Sequence, residues 1–248
     1  MTPALVVIPA RLASTRLPRK VLLRGSGKYL IQHVWERARA ARRAGRVVLA
    51  TDDEEVLAAA RSFGAEAVLT RADHPSGTDR VAEVARTLQA QEGAPAELVV
   101  NVQGDEPELD PGLIDRLVEL MEGSDAPMGT LAEPIQDPQD FQRAQVVKVV
   151  LDRRGRALYF SRSPIPHPAG DGGPPPLRHV GIYAYRPGFL QDFCRLEPAP
   201  LERGEKLEQL RALWHGHAIQ VGVVPPTGAR GIDTPEDYQA FLARAGRA

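Results

Sequence analysis

A knot of cations and two well-separated carboxylates carry the most explicit chemistry in this sequence. Pro9 to Lys20 reads PARLASTRLPRK, so Arg11, Arg16, Arg19 and Lys20 follow directly on the apolar run Ala4–Ile8. Small side chains there let backbone amides approach a phosphate, and arginine forks with a lysine supply charge. The segment is not a Walker loop, which needs paired glycines and Lys-Ser/Thr at fixed spacing. A solvated basic loop is the bland alternative. Cations placed at the end of a buried strand lie where open α/β sheets bind ligands, and that favours a phosphate site.

The first carboxylate is Asp105, in Gln103-Gly104-Asp105-Glu106-Pro107 after the aliphatic run Leu98–Val102. A carboxylate delivered this way suits a hard cation shared between protein and phosphates, such as Mg2+. Gly, Asp and Pro also build ordinary turns, and local composition leaves both readings open. The second is Asp233, in Gly231-Ile232-Asp233-Thr234-Pro235-Glu236-Asp237. Thr234 and Asp237 form a capping-box variant, and Pro235 sits at the first helical position. Helix initiation therefore uses its neighbours and leaves Asp233 over as a candidate metal ligand.

Other polar clusters read differently. Thr51–Glu55 is acidic at the start of a helical pattern, where carboxylates complement the dipole, and needs no catalytic role. In Thr70–Arg80 the helix cap is expected at Thr78, which leaves Arg71 and Ser76 available to a base or phosphate. Only Lys20, Lys28, Lys148 and Lys206 are lysines in a chain otherwise committed to arginine. Each departure from that habit raises the case for a local demand for a compact ammonium.

These residues need elements to hold them. Strand-length apolar runs at Ala4–Ile8, Arg46–Ala50, Glu66–Leu69 and Leu98–Val102 alternate with helical patterns at Leu30–Ala44, Asp53–Phe63 and Thr78–Gln91. The alternation predicts an α/β fold whose mostly parallel sheet is covered by helices on both faces. Beyond about residue 128 the strands Met128–Ala132, Val146–Leu151 and Val180–Ala184 have few helices between them. A smaller, more antiparallel subdomain is expected at 128–189, within a core of 1–127 and 190–248. Ser163–Pro176 is too rich in proline and glycine for regular structure. Leu201–Leu213 reads as a helix, Ile219–Val224 as a strand and Pro235–Ala245 as the terminal helix.

The composition excludes several classes. The 248 residues carry 31 basic and 32 acidic side chains, which does not suit a nucleic-acid binder. A single cysteine, Cys194, allows no internal disulfide or cysteine-rich zinc site and fits a reducing cytoplasm. No apolar run approaches the roughly 20 residues that span a bilayer. No basic stretch precedes Ala4–Ile8, so it reads as a strand and not a secretory signal. A cytoplasmic protein without membrane partners is expected.

Nine collinear segments resemble the 3-deoxy-D-manno-octulosonate cytidylyltransferases, or CMP-Kdo synthetases. They are IPARLASTRLPRK (8–20), ATDDEEV (50–56), TRADHPSGTDR (70–80), NVQGDEP (101–107), VKVVLD (147–152), ALYFSR (157–162), RHVGIYAYRPGF (178–189), LERGEKLEQLRAL (201–213) and GIDTPEDY (231–238). The resemblance implies a Rossmann-like nucleotide-diphospho-sugar transferase fold, with a smaller subdomain shaping the sugar site and a homodimer contact. It implies the reaction of CTP with Kdo to give CMP-Kdo and pyrophosphate, with Mg2+, for lipopolysaccharide biosynthesis. By position, Arg11, Arg16 and Lys20 would meet the triphosphate, with Arg16 and Lys20 also catalytic. Arg71, Ser76 and Gln103 would meet cytidine or substrate, and Asp105 and Asp233 would hold the metal. The sugar acid would meet Arg162, His179, Tyr183, Glu208 and Gln209. The family usually has glycine and proline where this chain has Arg19 and Val21 around the lysine. The alternatives are a cytidylyltransferase for another ulosonic, sialic or amino-Kdo acid, and a non-catalytic nucleotide sensor.

Overall fold

The aliphatic runs become strands, buried over Ala4–Ile8 and Val99–Asn101 and partly exposed in the edge strand Glu66–Leu69. In the computed structural model, which describes residues 4–14, 16–93, 96–167, 173, 175–228 and 231–246, β1 (Ala4–Pro9), β2 (Ala44–Thr51), β3 (Glu66–Leu69) and β4 (Val99–Asn101) lie parallel in the order β3-β2-β1-β4. Val6 stands opposite Val47 on β2 and Val100 on β4, and all three are buried. The connections are α1 (Leu30–Arg39), α2 (Glu54–Ser62) and α3 (Gly77–Glu92), and α4 (Pro111–Glu122) follows β4. Parallel neighbours need such crossovers, and the crossovers put the loops that follow β1 and β4 at the same edge.

The chain divides into two compact units, Met1–Asp115 with Gly228–Ala248, and Arg116–Thr227. The second contains β5 (Met128–Pro134), α5 (Pro138–Gln142), β6 (Lys148–Leu151), β7 (Ala157–Ser161), β8 (Leu177–Tyr185), α6 (Pro187–Phe193), α7 (Pro200–Glu205), α8 (Leu210–Trp214) and β9 (Ile219–Val223). Here β5 pairs antiparallel with β8 and parallel with β9, and β6 pairs antiparallel with β7 and β8. The unit extends past the 128–189 expected from sequence because β9 registers on β5 from Met128↔Ile219 to Ala132↔Val223. The terminal helix, α9 (Pro235–Ala245), belongs to the first unit.

Three local expectations are corrected. The helix expected over Leu30–Ala44 ends at Arg39, and Ala44 already opens β2. Between them Asp115 takes the Arg43 amide at 2.7 Å and Arg42 Nε at 3.2 Å, so these residues bond outside the helix ladder. The cap of α3 is Ser76 and not Thr78: Ser76 Oγ accepts from the Asp79 amide, while Thr78 is buried inside the helix. The helix expected over Leu201–Leu213 is broken into α7 and α8 by Lys206, whose φ of 54° and ψ of 48° are left-handed. Strand β7 was not anticipated, because it is short and leaves Leu158 at 62% exposure. Of the irregular loop expected at Ser163–Pro176, residues 168–172 and 174 lie outside the described residues, and the others carry no helix or strand.

Candidate functional site

The first unit brings Lys20, Asp105, Asp233 and Arg16 together. Lys20 Nζ donates to Asp105 Oδ2 at 2.7 Å, to the Ile232 carbonyl at 2.8 Å and to Asp233 Oδ1 at 3.1 Å. Arg16 Nη2 lies 3.0 Å from the same Asp233 oxygen. Residues from three distant stretches of sequence thus converge on one ammonium, and both carboxylates face it.

Packing explains the convergence. Leu17 and Leu23, on either side of Lys20, pack against a buried cluster of Leu30, Ile232, Tyr238 and Phe241. The Ile232 amide donates to the Asp105 carbonyl at 2.8 Å, which ties the stretch before α9 to the loop after β4. Gly104 is required at that loop: a Cβ there would stand 2.7 Å from the Pro9 carbonyl oxygen. Its glycine therefore serves close approach of two strand ends, a demand an ordinary turn does not make. Asp233 is not consumed by capping. Thr234 Oγ1 accepts from Asp237, and Asp237 Oδ2 accepts from the Asp233 and Thr234 amides.

Lys20 begins a single 3-10 turn, Lys20–Leu22, entered through Arg19 at φ 56° and ψ 26°. A side chain in this left-handed region costs of order 1 kcal/mol relative to glycine. Arg19 is also ion-paired to Glu55. A cleft of about 430 Å3 opens beside this loop, lined by Leu12, Ala13, Ser14, Pro18, Arg19 and the pair Asp52–Asp53. Asp53 caps α2 by accepting from the Glu55 and Val56 amides, and Asp52 pairs with buried Arg80 at 3.0 Å.

Other expected nucleotide contacts are more dispersed. Arg11 is exposed. Arg71 pairs with Asp73 of its own loop at 2.5 and 2.9 Å. Ser76, besides capping α3, donates to Asp79 Oδ2 at 2.6 Å. Gln103 is half-buried, and its carbonyl accepts from Glu106.

The second unit arranges the residues expected at the sugar acid. Opposite Thr130 and Leu131, the register of β8 jumps from Tyr183 to Val180, which leaves a bulge at 181–182. Bulges increase local twist and re-aim side chains. The His179 and Tyr183 rings come to 5.3 Å, and Phe160 lies edge-on to His179 at 5.1 Å. Thr130 Oγ1 sits 2.9 Å from His179 Nε2 and 2.7 Å from the Ile182 carbonyl. With the hydroxyl proton on that carbonyl, the ring donates through Nε2–H and keeps Nδ1 as an acceptor. Burial, with Arg178 adding in the same direction, pushes the His179 pKa down to about 3, so the ring is neutral at ordinary pH.

Arg162 follows β7. Its Nε donates to the Glu205 carbonyl at 2.6 Å, Nη1 to that of Ala144 at 3.1 Å and Nη2 to that of Lys206 at 3.4 Å. Among the described residues these three bonds leave two of the five guanidinium N–H groups over. Glu208 and Gln209 lie between α7 and α8, and Gln209 Nε2 is buried without a hydrogen-bond partner among the described residues. A buried donor left unsatisfied costs about 1–3 kcal/mol and marks a place where a ligand oxygen would be welcome.

Sequence reasoning assigned no role to Lys148 or Glu205, both of which bind this region. The available signal was a lysine inside an apolar strand of a chain with four lysines. Lys148 is fully buried and donates to the carbonyls of Val146 at 2.5 Å, Arg162 at 2.7 Å and Arg143 at 2.9 Å.

Comparison with known proteins places this geometry. The cytidylyltransferase family model matches residues 5–219. The 3-deoxy-manno-octulosonate cytidylyltransferase of Syntrophobacter fumaroxidans is 51% identical, covering 95% of this chain and 94% of the relative. A solved structure of CMP:2-keto-3-deoxy-manno-octonic acid synthetase complexed with CTP superposes with a TM-score of 0.91 at 41% identity, covering 99% of both chains. A 4-diphosphocytidyl-2C-methyl-D-erythritol synthase shares the fold at a TM-score of 0.66 and 14% identity, covering 98% of both chains. The fold is that of the nucleotidyltransferases, an α/β architecture with a mostly parallel sheet. The chain belongs to the cytidylyltransferase family. No helix among the described residues is long and apolar enough to cross a membrane.

Two carboxylates converging on one cation also fit a divalent ion. Mg2+ is commonly held by one or two carboxylates, with phosphates and water completing its shell. Among the described residues no third His, Cys, Asp or Glu joins them.

Proposed function

We propose that this enzyme transfers the cytidylyl group of CTP to 3-deoxy-manno-octulosonate, giving CMP-Kdo and pyrophosphate. The proposal rests on the convergence of Asp105 and Asp233 on Lys20 and Arg16, in a chain 51% identical to a relative named for that reaction. A new bond forms between the anomeric oxygen and the α-phosphorus, the hydroxyl proton is released, and the bond to the bridging oxygen of pyrophosphate breaks. Such transfers need positioning and charge more than covalent help from the protein.

Lys20, Arg16 and Arg11 would carry the negative charge of the triphosphate and of the departing pyrophosphate. Arg71, Ser76 and Gln103 are assigned to cytidine and substrate contacts; for Ser76 this would add to its capping role. A Mg2+ ion held by Asp105 and Asp233 would supply charge at the α-phosphate and lower the pKa of the attacking hydroxyl. The two outer N–H groups of Arg162 would take the sugar carboxylate. Neutral His179, with Tyr183, Glu208 and Gln209, would meet hydroxyls. A homodimer assembled through the second unit, a cytoplasmic location and supply of a lipopolysaccharide precursor complete the reading.

Pyrophosphate release with CTP and a panel of sugar acids tests it. Release with Kdo alone is expected. Release only with a different ulosonic, sialic or amino-sugar acid would move the enzyme to that substrate, and release with none would leave a non-catalytic nucleotide sensor.

A further inference from the structure

The second unit contains a network of charged side chains around Arg162 in which Glu205 and the buried Lys148 have no assigned ligand. Helix α7 ends at Glu205, where the last carbonyls of a helix lack internal partners. Arg162 supplies partners for two of them, at Glu205 and Lys206, and reaches Ala144 with its third bond. The Glu205 carboxylate answers in the opposite direction. Its Oε2 accepts from the Arg162 amide at 2.9 Å and its Oε1 from Ser161 Oγ at 2.6 Å. Main chain and side chain of these two residues therefore hold each other reciprocally.

Lys148 lies beneath this clasp, fully buried, with its ammonium on the Arg162 carbonyl and two others. Burial lowers the Lys148 pKa; Glu205 opposes that shift and Arg162 adds to it. The clasp closes where the chain is strained. Lys206 is left-handed without being glycine, and Leu207 and Leu210 beyond it are buried. Glu202 of α7 grips Arg211 of α8 at 2.5 and 2.9 Å, which holds the far side of the same break. Between these two anchors stand Glu208 and Gln209, the latter with its buried, unpartnered Nε2.

We infer that Glu205 is a positioning residue for the sugar acid. It fixes the orientation of Arg162 and, through the backbone at Lys206, the turn that presents Glu208 and Gln209. The left-handed residue breaks what the sequence writes as one helix, and Glu205 supplies the side-chain contacts that secure the break to β7. This inference rests on the proposed function, because it deepens the assignment of that subsite.

Steady-state kinetics of the full chain, with CTP and the sugar acid varied separately, test it. Glu205→Ala should raise KM for the sugar acid about tenfold or more and leave KM for CTP within about twofold. Glu205→Gln should recover most of that loss. Its oxygen can still accept from the Arg162 amide, and the Ser161 hydroxyl can turn to accept from the new NH2 group. Ser161→Ala, which removes one of the two bonds, should raise the sugar-acid KM about threefold.

Equal rises for both substrates, or no rise in a folded Glu205→Ala protein, would overturn the positioning role. If Glu205→Ala does not fold by circular dichroism, unchanged sugar-acid KM values in the Gln and Ser161→Ala variants would overturn it equally. The wild-type arm separates the two ideas. Turnover with a different acid corrects the substrate while the variants are read on that acid, and turnover with none removes both.

Discussion

The two lysines that reach three oxygens each sit in different units and do opposite things. Lys20 faces two carboxylates and one carbonyl, with its side chain 12% exposed, and its neighbours Arg16 and Asp233 are open to solvent. Lys148 faces three carbonyls at zero exposure. An ammonium among accessible carboxylates can exchange partners when another cation or an anion arrives. One enclosed by backbone cannot leave without stranding three acceptors. The first is suited to chemistry and the second to holding a shape.

Asp105→Asn and Asp233→Asn should test the first region most severely. Turnover is expected to fall by about two orders of magnitude or more while circular dichroism is unchanged, as for removal of a transition-state charge stabiliser. Near-normal pyrophosphate release in either variant would remove the metal assignment.

Methionine at each lysine sharpens the contrast. Lys148→Met should lower unfolding free energy by about 3 kcal/mol in urea denaturation, since buried acceptors lose their donor. Lys20→Met should lose turnover with a much smaller stability change. Equal stability losses in the two would mean that the lysines share one role.

A third test uses pH. His179 has a folded-state pKa of about 3 against an ordinary 6.5, so between these values the unfolded chain binds more protons than the folded one. Its contribution to stability is complete above about pH 6.5 and is lost as pH falls towards 3. Thermal midpoints should drop across that window, and His179→Gln should flatten the drop. An unaltered slope in that variant would show that other groups carry it.

The smallest effect is expected at Arg19. Arg19→Gly relieves a left-handed side chain and loses one surface ion pair, so the gain should be no more than about 1 kcal/mol. A clear loss in chemical denaturation would show that the pairing with Glu55 outweighs the backbone strain.

Most of the first unit was legible because its signals are local. Uninterrupted aliphatic runs state that a strand is covered on both faces, and polar residues after them lie at one edge by the handedness of the crossovers. Asp233 could be singled out because Thr234, Pro235 and Asp237 account for the helix start, and they form that cap. Ser76 and Thr78 are equally good cap residues in the sequence, and only the backbone shows that Ser76 precedes α3.

The second unit hid its main features. Leu201–Leu213 has continuous helical spacing, and nothing local announces a left-handed lysine at 206. The Glu205 and Lys206 carbonyls at that break accept from Arg162, more than 40 residues away in sequence. The bulge that brings His179 to Tyr183 depends likewise on pairing with β5.

The sequence by itself determined the α/β alternation, the cationic loop after β1 and the two carboxylates, because periodicity and capping are decided within one turn or one strand. Tertiary structure alone decided that Lys20 joins those carboxylates, that Gly104 must be bare and that Glu205 clasps Arg162. Those contacts depend on distances between segments far apart in the chain, which side-chain spacing along the chain does not encode.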